Sequence, residues 1–444
     1  LGLLMKQGQG LDHDYLHAHY RSSATMLALG APSIDALRQM HNVKTDPYSQ
    51  GRNFVGHFSK REWNVAPITS PIEVQFSIAI GTAHAQRRHG GEGITIVQGG
   101  DAGTAEGDFA TCLVWSSRPN AELPILMIVT NNEWGISTHA STQHGEKNIA
   151  DRGKAFGIRT AICDGNDVEA AWFAIDEAMR YVRNERRPFL LQANVSRLYG
   201  HSSSSGSNYV ESETDCLTVL ADKLAARGYR SPDETRRLRE QIEASMRAWY
   251  EQVLTEPKPD PEDAFDFVFA DKNYVGGEGR AVATLAQAVR MAPHGGEERL
   301  GVTDIFGQDV GPPLGGVFTA TQGLRTAWNT PLDERGIVGM AMGLALAGQR
   351  PVAEIQFCDY AFNTIDLLKL CGNTYWSSAG DWNVPMTLMT PVGAGIHGSI
   401  YHSHSFDAQA TRIPGWKIVM PSNPRDAYDL MLSAIVDPNP VMYM

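Results

Sequence analysis

The chain is predicted to be an α/β protein built as two domains, each a parallel sheet flanked by helices. Three observations predict this fold class. Apolar runs of strand length alternate with amphipathic stretches of helix length, the pattern of βαβ units on a parallel sheet. The alternation gives way to a charged helical stretch and a break rich in proline and glycine, after which a second series begins. The chain also has 444 residues, 42% hydrophobic and 20% charged, which corresponds to about three units of ordinary domain size with a real core.

In chain order, residues 94–97 (Ile-Thr-Ile-Val) and 125–129 (Ile-Leu-Met-Ile-Val) read as strands, with a helix over 104–116 between them. A strand follows at 158–163, Asp167 caps an amphipathic helix running to residue 184, and 189–195 is a strand again. From 211 to 254 the pattern is helical and charged, as in Glu234-Thr235-Arg236-Arg237-Leu238-Arg239-Glu240. The prolines of 257–261 break the chain and the glycines of 276–279 make a flexible joint, which places a domain boundary near residue 275. The domains are therefore 1–275 and 276–444. In the second, 336–347 is a helix, and 352–357, 386–389 and 416–420 are strands. Gly339, Gly343 and Ala347 lay small residues along one face of that helix, which predicts close packing against a neighbour.

Composition excludes several function classes. A net charge of -12 argues against nucleic-acid binding, which needs a basic surface. The longest apolar stretch, 336–348, is shorter than the ~20 residues that cross a bilayer. The first residues carry no signal or transit pattern, so a cytoplasmic location is the default expectation. Cys112, Cys163, Cys216, Cys358 and Cys371 are scattered with no C-x-x-C pair, and read as free thiols in a reducing compartment.

The most informative stretch runs from Gly99 to Trp134. The first strand leads into Asp101 and the second into Asn131-Asn132. Parallel strands ending side by side bring the carboxylate and the carboxamide together at their carboxyl ends, where open α/β sheets bind ligands. One hard anion and one neutral oxygen donor, beside glycines that let backbone amides approach phosphate, suit a magnesium–diphosphate pair. Either half alone reads as an ordinary turn; the pairing is what favours a site. Other residues have equally plain readings when they stand alone. Arg21 reads as a solvated arginine, 202–206 as a flexible Ser/Gly loop, and Glu334 as an acid at a helix N-terminus. His397, His402 and His404 lie close together, but no cysteine or second cluster supports zinc. His402 is a proton-transfer candidate, because imidazole titrates in the working range.

The Asp101/Asn132 arrangement resembles the diphosphate-binding motif of thiamine diphosphate enzymes, usually Gly-Asp-Gly followed by Asn-Asn. Within that group, Gly100-Asp101-Ala102-Gly103-Thr104-Ala105-Glu106-Gly107-Asp108 resembles the α subunit of the 2-oxo acid dehydrogenases. The resemblance implies magnesium held by Asp101, the Asn132 side chain and the Trp134 carbonyl, with Ala102 and Gly103 contributing backbone to the cofactor. Ala102 stands where glycine is usual, and Thr130 where some relatives have a phosphate-binding arginine. Tyr20 and Arg21 match a Tyr-Arg pair whose arginine grips the diphosphate. Ser70-Pro71-Ile72 matches a segment that contacts the aminopyrimidine, Ser70 and Ile72 included. Relatives carry potassium nearby, where Val74 replaces a hydroxyl ligand, which leaves K⁺ an open expectation. Arg197 and His201 match an arginine on the diphosphate and a histidine over the cofactor.

The second half resembles the β subunit of the same enzymes. Pro331-Leu332-Asp333-Glu334-Arg335-Gly336 implies that Glu334 hydrogen-bonds the pyrimidine ring nitrogen, with Leu332 beside the cofactor. Glu354-Ile355-Gln356-Phe357-Cys358-Asp359-Tyr360 implies Tyr360 near cofactor or substrate, and Tyr401-His402-Ser403 matches a segment whose histidine moves protons. The resemblance therefore implies two thiamine diphosphate-binding-type domains on one chain, a fused α–β decarboxylating component of branched-chain type. Catalytic roles fall to Glu334, His201 and His402. The implied partners are a 2-oxo acid, the lipoyl domain of a dihydrolipoyl acyltransferase, and a second copy in a homodimer resembling the family's heterotetramer. Compared with the family, the stretch before Tyr20 is short and the usual third C-terminal domain of the β subunit is not expected. A pyruvate or acetoin dehydrogenase shares nearly every motif. A transketolase-like enzyme lacks these paired signatures, and a non-catalytic thiamine-fold scaffold has no need of the retained residues.

Overall fold

A computed structural model describes residues 1–53, 55–202, 209–271 and 283–444. They divide into two compact units, one of Leu1–Phe76 and His89–Asp260, the other of Ser77–Arg88 and Pro261–Met444. The boundary expected near 275, the glycine joint at 276–279 and residues 203–206 of the Ser/Gly loop lie outside the described residues.

The first unit holds a five-stranded parallel sheet in the order Tyr15–His17, Thr95–Gly100, Ile125–Asn131, Phe189–Asn194, Arg159–Asp164. The third strand is buried from Ile125 to Val129, as a parallel sheet covered on both faces requires. Register sets Gly100 opposite Thr130 and Asn131 opposite Asn194, so three central strands end level. Asp167 caps the helix Val168–Glu185 by accepting from the amides of Glu169 and Ala170, a contact worth about 1 kcal/mol. That helix buries Ala178, Met179 and Val182 against Leu126, Ile128, Phe189 and Leu191. The charged stretch folds as helices Cys216–Ala226 and Pro232–Leu254, the second opened by a Ser231/Glu234 capping box.

The helix expected over 104–116 starts later, at Gly107. Before it, the amide and hydroxyl of Thr104 both donate to the Asp101 carbonyl, at 3.2 and 2.6 Å, which closes a tight 3₁₀ turn over Ala102–Ala105. Glu106 is extended and separates this turn from the helix.

The second unit holds a six-stranded parallel sheet, ordered Lys417–Val419, Val441–Tyr443, Thr387–Met389, Pro351–Glu354, Asp304–Gly307, Ala327–Asn329. Helices Leu285–Arg299 and Pro424–Val436 cover one face through Ala292, Met431, Leu432 and Ile435, which pack on Ile305 and Val352. The helix Glu334–Leu346 is buried from Gly336 onward. A side chain at Gly339 meets Ser77, and one at Gly343 meets Ile78 and Gly81, so the small residues do serve a close helix contact. A methyl group at either position overpacks the contact, at about 1–3 kcal/mol. Among the described residues no helix is long and apolar enough to cross a membrane, and all five cysteines are free.

Candidate functional site

In the first unit, the loops after four parallel strands carry every residue expected to contact cofactor or metal except Ser70 and Ile72. Tyr20 and Arg21 follow Tyr15–His17, Asp101 follows Thr95–Gly100, Asn132 and Trp134 follow Ile125–Asn131, and Arg197 and His201 follow Phe189–Asn194. The loops are tied to one another. The Asp101 amide donates to the Thr130 carbonyl at 3.1 Å, and the Val195 amide to the Asn131 carbonyl at 2.9 Å.

Asp101 is 2% exposed, and its Oδ2 is buried with no hydrogen-bond partner. Burial pushes its carboxyl above the usual range, against the pull of the backbone amides of Asn132, Asp101 and Ala102. Asn132 Oδ1 accepts from the Trp134 amide at 2.9 Å and keeps a second lone pair. A buried carboxylate oxygen without a donor, beside a carboxamide oxygen, fits a hard divalent cation with oxygen ligands. The two departures from the usual motif also find places. Ala102 lies where a side chain at residue 135 would stand, and residue 135 is glycine. The Thr130 hydroxyl donates to the Gly99 carbonyl at 3.1 Å.

Two arginines flank this centre. Arg21 donates to the Tyr20 hydroxyl at 3.2 Å and to the His201 carbonyl at 2.8 Å, with its guanidinium over the Tyr20 ring. Arg197 donates to the Ile136 carbonyl at 2.6 Å and lies over the Trp134 ring. Burial, then the charges of Arg21 and Arg197, hold His201 below the usual imidazole range, so its ring is neutral near pH 7. Ser70 lies 2.7 Å from His57 Nε2, and the His57 ring stacks on Tyr20. His57 thus links the Ser70 segment to the Tyr20–Arg21 pair, a role that its place in the sequence did not mark. Ile72 is exposed.

In the second unit, Asp333 is the residue that caps the helix, accepting from the Gly336 amide at 3.0 Å. Glu334 is therefore released from the plain capping reading. Its Oε1 accepts from Gln308 at 3.0 Å and its Oε2 from Asn363 at 3.4 Å. Gln308 follows the strand Asp304–Gly307 and Asn363 sits in the turn Cys358–Thr364. The neighbouring Arg335 is engaged elsewhere, on Asp366 at 2.8 and 2.9 Å. Two neutral carboxamides thus hold the two oxygens of the carboxylate. Leu332 is 84% exposed.

His402 is held at both nitrogens. Nδ1 lies 3.1 Å from the Gly398 carbonyl, which only accepts, so Nδ1 carries the proton; Nε2 then accepts from the Tyr360 hydroxyl at 2.8 Å. Tyr360 lines a cleft of about 390 Å³ with Asp359, Phe362, Ile400, Tyr401 and His404. His404 stacks on Phe362.

Glu354, at the end of its strand, is buried with Oε2 unpartnered, and burial pushes its carboxyl from the ordinary 4.5 up to about 8. The folded protein therefore holds this proton more tightly than the unfolded chain. Its contribution to stability is full below about pH 4.5 and is lost as pH rises towards 8. Glu354→Gln is expected to make the fall in melting temperature between pH 5 and pH 8 shallower, as thermal denaturation across that range will read.

Residues 4–262 match the family described as Dehydrogenase E1 component. The chain belongs to that family. Residues 287–444 match a second description, the pyrimidine-binding domain of transketolase, so both parts of the E1 architecture lie on one chain. Relatives of the two halves differ accordingly. The 2-oxoisovalerate dehydrogenase subunit beta of Pseudomonas aeruginosa is 42% identical over 168 residues, 36% of this chain and 48% of that protein. The mitochondrial 2-oxoisovalerate dehydrogenase subunit alpha of Bos taurus is 29% identical over 269 residues, 59% of this chain and 58% of that protein. The pyruvate dehydrogenase E1 component subunit beta of Bacillus subtilis is 41% identical over 147 residues, 32% of this chain and 45% of that protein. The chain spans about half the length of the beta-subunit relatives that it matches.

Proposed function

We propose that the chain is the decarboxylating component of a 2-oxo acid dehydrogenase, using thiamine diphosphate and Mg²⁺ and acting on a branched-chain 2-oxo acid such as 3-methyl-2-oxobutanoate. The observation that carries this reading is the buried Asp101 oxygen without a donor, set at strand ends beside Asn132. The names of the 2-oxoisovalerate dehydrogenase relatives support the substrate class.

The residues divide the work by chemistry. Asp101, Asn132 and the Trp134 carbonyl hold the cation, with the backbone of Ala102 and Gly103 and the guanidinium groups of Arg21 and Arg197 on the diphosphate. Tyr20, Ser70, Ile72, Leu332 and Tyr360 line the rest of the cofactor. Glu334 takes the pyrimidine end, where its carboxylate accepts a hydrogen bond from the ring nitrogen. Bound thiamine diphosphate supplies the nucleophilic carbon that attacks the 2-oxo group and the electron sink for loss of carbon dioxide. His402 and His201, both hydrogen-bonded in place, would accept and deliver protons as the acyl group leaves on a lipoyl arm whose disulfide is reduced. The partners proposed are that arm's acyltransferase and a second copy of the chain in a homodimer.

Turnover of 3-methyl-2-oxobutanoate and of pyruvate with an artificial electron acceptor tests the reading. Faster turnover of the branched acid is expected. A preference for pyruvate would move the chain to the second reading, which the Bacillus subtilis pyruvate dehydrogenase relative keeps open. Turnover of neither acid, with Mg²⁺ and thiamine diphosphate present, would overturn both.

A further inference from the structure

Glu73 is fully buried beneath the loop that carries Asp101, and no step above uses it. Its backbone has φ +66°, a left-handed conformation that a residue with a side chain rarely adopts. Such an outlier persists only where its surroundings hold it, and it often marks a functional constraint. Its Oε1 accepts from the Gly100 amide at 3.1 Å, and its Oε2 from the Gln75 side chain at 3.3 Å. Gln75 in turn donates to the Gln98 carbonyl at 2.9 Å, so the pair is tied to the C-terminal half of the Thr95–Gly100 strand.

The three glycines of this loop are not equivalent. A Cβ at Gly99 or at Gly103 would collide with the Glu73 carboxylate, whereas one at Gly100 meets nothing within 4 Å. Of the three, only Gly100 leaves open space. Gly99 and Gly103 are bare because a carboxylate from the preceding segment fills the space that their side chains would take.

We propose that Glu73 is a positioning residue for the metal–diphosphate loop: it grips the Gly100 amide and fills the gap between Gly99 and Gly103, and so fixes where Asp101 presents its free oxygen. This rests on the functional reading above. It makes Gly103 a partner of Glu73 as well as a backbone contact for the cofactor.

The test is calorimetric binding of thiamine diphosphate with saturating Mg²⁺, alongside thermal melting of each cofactor-free protein. Glu73→Gln keeps an acceptor for Gly100 and should bind within a few-fold of wild type. Glu73→Ala should bind roughly 10-fold or more weakly, the size expected for losing a group that orients a metal ligand. Gly103→Ala should also bind weakly, and adding Glu73→Ala removes the colliding atoms, so the double variant should bind more tightly than Gly103→Ala alone. Wild-type affinity in Glu73→Ala, or a double variant no tighter than Gly103→Ala, would overturn the proposal. A Glu73→Ala change that lowers only the melting temperature would also overturn it, since that is what a filler of the core does. If Gly103→Ala does not fold, the contrast of Glu73→Gln with Glu73→Ala decides. No Mg²⁺-dependent binding in wild type overturns the functional reading, and this inference falls with it.

Discussion

Glu334→Gln is expected to bind thiamine diphosphate with Mg²⁺ nearly as wild type does and to lose 2-oxo acid turnover by roughly 10²–10⁴-fold, the range for removing a positioned acid–base group. The two effects separate because anchoring and activation use different residues. On the proposed reading Asp101 and Asn132 take the charged end, while Glu334 is held by two neutral side chains, Gln308 and Asn363. Glutamine preserves size and most of the packing, and the helix keeps its Asp333 cap, so the melting temperature should barely move. Parallel measurement of calorimetric affinity and kcat checks the split. Turnover like that of wild type would remove Glu334 from its assigned role, and loss of binding together with turnover would show that it serves to anchor the cofactor.

The second large effect is expected at Asp101. Asp101→Asn should weaken Mg²⁺-dependent cofactor binding by more than roughly 100-fold, since losing a ligand exceeds the 10–100-fold cost of losing a group behind one. The same change should leave the cofactor-free protein as stable as wild type or more so. The wild-type carboxylate is buried with one oxygen lacking a donor, an arrangement that costs folding energy until a cation satisfies it. Opposite signs on binding and on stability distinguish a ligand-binding carboxylate from a structural one. Thermal melts with and without Mg²⁺ and thiamine diphosphate read both, because a ligand bound only by the folded state raises the melting temperature.

How much of this could be read in the amino-acid sequence depended on how local each signal was. The Asp101–Asn132 pair was legible because each strand has an apolar run, Ile94–Val97 broken only by Thr95 and Ile125–Val129 unbroken, and the strands end in glycine and asparagine, which stop strands. The helix Val168–Glu185 announced itself by its cap and by one apolar stripe. The edge strand Tyr15–His17 and the strands Asp304–Gly307, Ala327–Asn329 and Val441–Tyr443 span only three or four residues, too few to show a period. The helix Leu285–Arg299 contains Pro293 and Gly295-Gly296, which read as a break until the fold buries them. Helix Val74–His89 is buried almost all round over its first ten residues, so it shows no stripe to find.

The site divided in the same way. Residues standing in short motifs at strand or helix ends were singled out by the sequence, Glu334 among them. Glu73, His57, Gln308 and Asn363 were not, because each matters through a contact with a segment remote in sequence. Only one sequence signal pointed towards them: a charged residue, Glu73, lies directly before ten residues without a charge, a stretch in which a carboxylate needs a partner.

On the proposed reading, Asp101 and Asn132 build a magnesium-dependent diphosphate cradle. Titrating thiamine diphosphate into the protein by calorimetry, once with Mg²⁺ and once with a chelator, tests it most directly. Saturable binding that disappears when the divalent cation is removed is the predicted result. Binding of equal strength in the chelator, or no binding in either condition, would contradict it.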